Sequence, residues 1–298
     1  MVWREGVAVN TTWSTCVQRP ELLYFTRKIR FSDVFRDKYT EALKIDGRRK
    51  ILEIGCGPGA LTQALHRWYP DAEVIGTDRD SRFVEFASKM APGLTFREED
   101  ATCLSFPDNT FDVTISYTVQ EHVEPSKFFG EQYRVLKDGG VCIVLSVRRG
   151  ITVYAPCITE QTEFEKEIWN RAEKYVAESD REHGVCAYPL SEAELPQVME
   201  SHGFRNVTTE YITINLTPDN PVYPRQMALD MINSDRMTAL VCTEILADIA
   251  PDVVTAKEIE ELKKLINRKY DKRIELYDKG IKQWDTTVVL TMVLRGEK

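Results

Sequence analysis

The stretch Leu52-Glu53-Ile54-Gly55-Cys56-Gly57-Pro58-Gly59 decides how the rest of the chain is read. Lys50-Ile51-Leu52-Glu53-Ile54, which leads into the glycines, is a short apolar run of the kind buried on both faces in a parallel sheet. After the glycines, Leu61, Leu65 and Trp68 recur at helical spacing until Pro70. A strand, a glycine-rich turn and a helix in that order let the backbone turn sharply and approach a ligand closely. In such a sheet the ligand site lies beyond the carboxyl ends of the strands.

The same alternation extends outward. Residues 72–77, 94–98, 111–117 and 141–147 read as further strands, and 81–90 and 125–136 as helices. Asp138-Gly139-Gly140 reads as the turn before the fifth strand. Strands alternating with helices imply βαβ units, a parallel sheet and right-handed crossovers. After residue 150 the pattern changes. Phe164, Ile168, Ala172 and Val176 predict an amphipathic helix over 158–182. Ser191 to Glu194 reads as a capping box opening a helix to Met199, with Gly203 as its stop signal. The runs 204–216 and 286–294 are rich in β-branched residues and predict strands. The residues between them read as helical, with a second capping box at Thr255–Glu258. The predicted organisation is an extension over 1–44 and an α/β core over 45–298, with helical insertions at about 151–188 and 217–284.

Composition narrows the class. The chain has 298 residues, 43% of them hydrophobic, enough for a large core. Its formal charge of −8 supplies no overall positive field for a nucleic-acid backbone. No stretch reaches the about 18 apolar residues of a membrane span, and the first residues, MVWREGVAVN, lack the apolar core of a signal peptide. Cys16, Cys56, Cys103, Cys142, Cys157, Cys186 and Cys242 are scattered, which fits a reducing cytoplasm. The charge is uneven: residues 1–50 carry +5 and residues 151–200 carry −7. The acidic block reads as a solvated helix face, or as a wall that attracts a cationic substrate.

Two cofactors compete for the loop. Gly55, Gly57 and Ala60, with Asp78 downstream, formally fit the dinucleotide fingerprint. Three details favour S-adenosylmethionine (SAM). Glu53 lies two residues before the first glycine, where it suits an ammonium or sulfonium group and is poorly placed beside a pyrophosphate. A third glycine, Gly59, follows the second by two residues, and Asp100 adds an acid after the third strand.

These residues resemble the class I SAM-dependent methyltransferases, above all the ubiquinone/menaquinone C-methyltransferase-like group that acts on small molecules. LEIGCGPG matches the family's E/D-x-G-x-G-x-G loop, Thr77-Asp78-Arg79 its acidic end of strand two, and Glu99-Asp100-Ala101 its adenine-binding turn. FPDNTFDV (106–113), VQEHVEP (119–125) and YRVLKDGG (133–140) continue the match, which is strong over about 45–150. The resemblance implies a Rossmann-like α/β fold with a seven-stranded, mostly parallel sheet in the order 3-2-1-4-5-7-6, carrying helical lid insertions. It implies SAM as cofactor and S-adenosylhomocysteine as product, with no metal.

Roles follow from it residue by residue. Gly55, Cys56, Gly57 and Gly59 pack their backbone against the methionine part, and Glu53 holds its amino group. Asp78 accepts both ribose hydroxyls, and Arg79 flanks the adenine. Asp100 accepts from the adenine amine, and the Ala101 amide contacts a ring nitrogen. Ser116 and Tyr117 end strand four beside the methyl group. His122 is the candidate base, with Tyr117 as a second catalytic candidate. Tyr24, Phe31 and Tyr39 are lid candidates, and Tyr154 and Trp169 line the other wall.

Ser116-Tyr117-Thr118-Val119 lacks the N/D-P-P-Y/F motif of amino-methyltransferases of DNA and of glutamine side chains, and it offers no cysteine of the arsenite type. The expected protein is a cytoplasmic enzyme, a monomer or homodimer, that methylates a small molecule, does not bind nucleic acid and has no membrane span. The acidic insertion and the aromatics suggest an amine or another cationic or aromatic acceptor. The alternative is a non-catalytic SAM-binding sensor or partner module. A nicotinamide-dependent oxidoreductase is disfavoured by Glu53 and Asp100.

Overall fold

The structure is a computed structural model and describes residues 2–4, 7–9, 13–148 and 157–298. Its elements, in chain order, begin with β1 (Val2–Arg4) and β2 (Val7–Val9), an antiparallel pair, followed by α1 (Pro20–Arg30) and α2 (Arg36–Leu43). The alternating part runs β3 (Lys50–Ile54), α3 (Ala60–Trp68), β4 (Glu73–Asp78), α4 (Ser81–Met90), β5 (Thr95–Glu98), β6 (Phe111–Tyr117), α5 (Pro125–Val135) and β7 (Leu136–Val147). It continues with α6 (Glu163–Glu182), α7 (Glu194–Ser201), β8 (Arg205–Leu216), α8 (Arg225–Ile249), α9 (Ala256–Asp278) and β9 (Thr287–Glu297).

Seven strands form one sheet in the order β5-β4-β3-β6-β7-β9-β8. Counted within the sheet this is 3-2-1-4-5-7-6, the order the resemblance implies. β3 is parallel to β4 and β6, β4 to β5, and β6 to β7, whereas β9 is antiparallel to β7. The central strands are apolar on both faces because helices cover both. Leu52, Ile54, Phe111, Val144 and Leu294 share one cluster with Phe128 and Phe129 of α5 and Met199 of α7.

The chain divides into two compact units. The first comprises 1–150, 184–214 and 290–298, and holds this sheet core. The second comprises 151–183 and 215–289. Its own core joins Ile168 and Ala172 of α6 to Leu246 of α8 and to Ile259 and Leu262 of α9. Inside it the Arg273 guanidinium, fully buried, donates to Asp219 at 2.8 Å and to both oxygens of Asp285.

Some local expectations shift. Asp138-Gly139-Gly140 lies inside β7, not in a turn before it: Leu136 already pairs with Phe111, and the register then jogs to Val141 opposite Val113. Gly139 takes up the jog at φ +74°, and its amide donates to the Lys298 carbonyl. The helix predicted from 158 begins at Glu163, where Thr162 and Glu165 close a capping box that the sequence reading did not mark. Within 1–44, α1 and α2 are regular helices that sequence periodicity did not single out.

Candidate active site

The loop between β3 and α3 is built by glycine. Gly55, Gly57 and Gly59 sit at φ +68°, +52° and +84°, where a Cβ would strain the backbone. At Gly55 it would also lie 2.3 Å from Val119 Cγ2. The Cys56 amide donates to the Thr77 carbonyl at 2.8 Å, and the Gly57 amide to Asp78 Oδ2 at 2.8 Å. The loop is thereby tied to the end of β4. Burial pushes the Cys56 thiol well above its ordinary range, so it offers no thiolate nucleophile.

Two carboxylates lie against this loop, and a third follows the end of β5. Glu53, 2% exposed, accepts from the Thr62 hydroxyl. Burial pushes its carboxyl up to about 8; the Thr62 hydrogen bond opposes this and the charge of Asp78 adds to it. Asp78 accepts from the amides of Gly57 and Asp80, and burial raises it to about 6 against those bonds. Asp100 is exposed, and its Oδ1 accepts from the Thr102 amide and hydroxyl at 2.8 and 2.7 Å. Ala101 packs at the margin of the sheet core. Arg79 is exposed, with its guanidinium 5.9 Å from the Trp13 ring.

The segment before β3 is fastened to the same end of the sheet. Ser14 donates from its amide and its hydroxyl to Asp80, which also caps α4. Tyr24 of α1 donates to Gln63 of α3 at 3.0 Å and leans on Phe86 of α4. One face of α1 then brings Arg27 and Arg30 to Tyr117 at the end of β6. Arg27 Nη1 is 3.5 Å from the Tyr117 hydroxyl, Arg30 Nη1 is 3.3 Å from it, and the Arg27 guanidinium lies 4.6 Å from the ring centre. Arg27 also donates to the Thr118 hydroxyl at 3.2 Å. The sequence reading missed both arginines; their spacing of three on a helix was the available signal. Ser116, beside Tyr117, is fully buried and its hydroxyl has no partner.

Other candidates separate. The Cys186 amide donates to His122 Nδ1 at 2.9 Å, and the Trp13 ring meets the imidazole edge-on at 4.5 Å. A backbone amide can only donate, so Nδ1 accepts and the neutral imidazole carries its proton on Nε2. The lid candidates Phe31 and Tyr39 lie in the interior: Phe31 packs on Tyr39 and Tyr117, and Tyr39 stacks on Trp68 at 5.3 Å. Trp169 belongs to the second unit and packs against its α6, α8 and α9 core. Tyr154 lies outside the described residues. Part of the acidic block is paired within its own unit. Glu165 is buried against Lys269 at 2.7 Å, and Glu163 and Glu178 pair with Lys166 and Lys174 along α6. Among the described residues no helix is long and apolar enough to cross a membrane, and no group of three His, Cys, Asp or Glu side chains is set to hold a metal.

Known proteins resemble parts of this chain. A family model described as a methyltransferase domain matches residues 52–144. A ubiquinone/menaquinone biosynthesis C-methyltransferase of Desulfotalea psychrophila is 37% identical over 102 residues, which are 33% of this chain and 42% of that protein. A demethylmenaquinone methyltransferase of Thermus thermophilus is likewise 37% identical over 102 residues, 33% of this chain and 46% of its own length. The chain thus spans less than half the length of these two relatives. A solved phosphoethanolamine N-methyltransferase 2 of Haemonchus contortus, bound to phosphomonomethylethanolamine and S-adenosylhomocysteine, aligns with a TM-score of 0.53 at 16% identity. That alignment covers 98% of this chain and 61% of the other, and the likeness is one of fold. Sheet order and glycine loop fit the Rossmann-like class I fold, and residues 52–144 match a methyltransferase domain. Within that class the matched stretch is similar to the ubiquinone/menaquinone C-methyltransferase group.

Proposed function

We propose that the chain is a SAM-dependent methyltransferase acting on a small molecule. The observation that carries this is the set of carboxylates around the glycine loop. Glu53 is buried with a hydroxyl as its hydrogen-bond donor and no cation bonded to it, which suits an incoming ammonium or sulfonium. Asp78 keeps lone pairs for a cis-diol after accepting two amides. Asp100, at the next strand end, is exposed and faces an adenine amine on this reading, beside Ala101 and Arg79. A pyrophosphate would meet carboxylates here in place of the cationic or N–H donors it needs.

Bound here, SAM would supply an electrophilic methyl group together with its leaving group. The chain's part is to align the acceptor and keep water away. Residues 1–44 act as a lid on this reading, supported by Ser14 on Asp80 and by α1 against α3. The acceptor reading follows the charge near Tyr117. An amine or other cationic acceptor drew its support from the acidic block, and there Glu165 is already neutralised by Lys269. Two arginines at Tyr117 favour an acceptor that gives up a proton, in line with the relatives named for C-methylation. The free cysteines support a reducing, cytoplasmic setting, with the protein a monomer or homodimer and without nucleic-acid partners.

Titration calorimetry with SAM, S-adenosylhomocysteine and NAD tests the cofactor. Binding of NAD without SAM would overturn the proposal. Incubating a metabolite extract with methyl-labelled SAM tests turnover. SAM binding with no transfer to any extract would instead indicate a non-catalytic SAM-binding sensor or partner module.

A further inference from the structure

We propose that Tyr117, held as a phenolate between Arg27 and Arg30, is the proton acceptor of this site, and that the methyl acceptor is an O–H or C–H acid. The proposal rests on the methyltransferase reading above and deepens it.

Position comes first. Tyr117 ends β6, directly beside the strand that feeds the glycine loop: Ile54 pairs with Ser116, and Val119 abuts Gly55. A methyl acceptor approaching from beyond the strand ends meets Tyr117 there. Its neighbours come next. Two guanidinium groups direct N–H donors at one phenol oxygen, at 3.3 and 3.5 Å, and one of them also covers the ring. A phenolate oxygen is purely an acceptor, which matches donors that cannot accept. Charge-assisted hydrogen bonds to the ionised form are what stabilise it.

The other groups facing this oxygen agree. Burial opposes ionisation most strongly, yet Arg30, Arg27 and the Thr291 hydroxyl outweigh it and hold the Tyr117 phenol below the ordinary tyrosine range. From α2, Tyr39 is pushed the other way by burial, and its own hydroxyl is buried without a partner. One phenol is thus prepared to ionise while its neighbour stays protonated and able to donate, the divergence expected of an acid and a base. Burial, together with the like charge of Arg30, lowers the Arg27 guanidinium to about 10, while Tyr117 and Glu121 support its charge. His122, the alternative base, presents Nδ1 to the Cys186 amide and a proton on Nε2.

The step balances. The acceptor's O–H or C–H proton moves to Tyr117 Oη. The electron pair left on the acceptor forms the bond to the methyl carbon as the C–S pair returns to sulfur, leaving S-adenosylhomocysteine. After product release the proton passes from Tyr117 to solvent, and Arg27 and Arg30 restore the phenolate.

Ultraviolet difference titration of tyrosine ionisation is the direct test. One of the twelve tyrosines should ionise ahead of the rest. That early phase should vanish in Tyr117→Phe, move to higher pH in Arg30→Gln and in Arg27→Gln, and largely return in Arg30→Lys. With the acceptor found in the extract screen, Tyr117→Phe should slow transfer by about 10²–10⁴-fold and remove the acidic limb of the pH–rate profile. Twelve tyrosines titrating together, or a Tyr117→Phe protein that keeps that limb, would overturn the proposal. If Tyr117→Phe does not fold, the two Gln variants and the Lys variant carry the titration alone. Wild-type protein that binds no SAM would overturn the methyltransferase reading and the acceptor class with it, while the titration still decides the state of Tyr117.

Discussion

Gly57 and Asp78 are joined by a hydrogen bond: the loop glycine's amide donates to the carboxylate at the end of the next strand, 2.8 Å away. The residue assigned to the ribose therefore also sets the shape of the loop assigned to the methionine. Asp78→Ala removes both functions. SAM affinity should fall by about 1.5–3 kcal/mol for each charge-assisted bond lost, read by calorimetry. Asp78→Asn, which keeps one acceptor oxygen, should fall between Ala and wild type.

Glu53 makes stability depend on pH in an unusual direction. Its carboxyl is raised from 4.5 to about 8, so the folded protein keeps a proton that the unfolded chain has already released in that window. Stability of the ligand-free protein should fall as pH rises through it. Asp78, raised to about 6, contributes the same sign in the lower part. Urea denaturation across pH should show this decline, and Glu53→Gln should flatten it from roughly one pH unit above the Asp78 value of about 6, where Asp78 has largely finished titrating.

Binding of a cation beside Glu53 favours its ionised form. SAM association near neutral pH should therefore release protons, visible as a binding enthalpy that varies with the ionisation enthalpy of the buffer. Glu53→Gln should remove that variation.

Gly55 tolerates no side chain. At φ +68°, with Val119 Cγ2 2.3 Å from a would-be Cβ, Gly55→Ala combines backbone strain with overpacking. A loss of about 2–5 kcal/mol is expected in chemical denaturation. Gly47→Ala is a useful control: it shares a positive φ and meets nothing within 4 Å, so only the strain remains.

In the second unit, Arg273 is buried between Asp219 and Asp285. Arg273→Met leaves two carboxylates without their cation and should cost about 3–5 kcal/mol in thermal or urea unfolding.

Much of the sheet could be read in advance because its cause is local. Short apolar runs with β-branched residues specify buried strands, and the runs at 50–54 and 111–117 became β3 and β6 with the same limits. The glycine loop was legible because three positive φ angles require glycine at fixed spacing. What escaped depends on residues brought together from afar. Nothing near Ser14 announces Asp80, 66 positions away. Nothing near Tyr117 announces Arg27, 90 positions away, and the orientation of His122 is set by an amide 64 positions further on. Phe31 and Tyr39 are buried, which aromatic content alone does not announce, because it does not say which side of a helix faces inward. The start of β7 was missed because its first pairing, Phe111 with Leu136, is interrupted by a jog no spacing rule anticipates.

The antiparallel seam between β7 and β9 has a consequence for how the chain acquires its shape. Val141 is paired with Glu297, so the β7 edge stays open until residues beyond 290 have been made. Both stretches of the second unit are synthesised in that interval. During it, Val141, Ile143 and Leu145, fully buried in the finished protein, border an unsatisfied backbone edge. A growing chain thus passes through a stage that invites the wrong strand to pair. A circular permutation that starts the chain at β9 and joins the two present ends would have β9 made before β7, and the open edge would be paired as soon as β7 emerges.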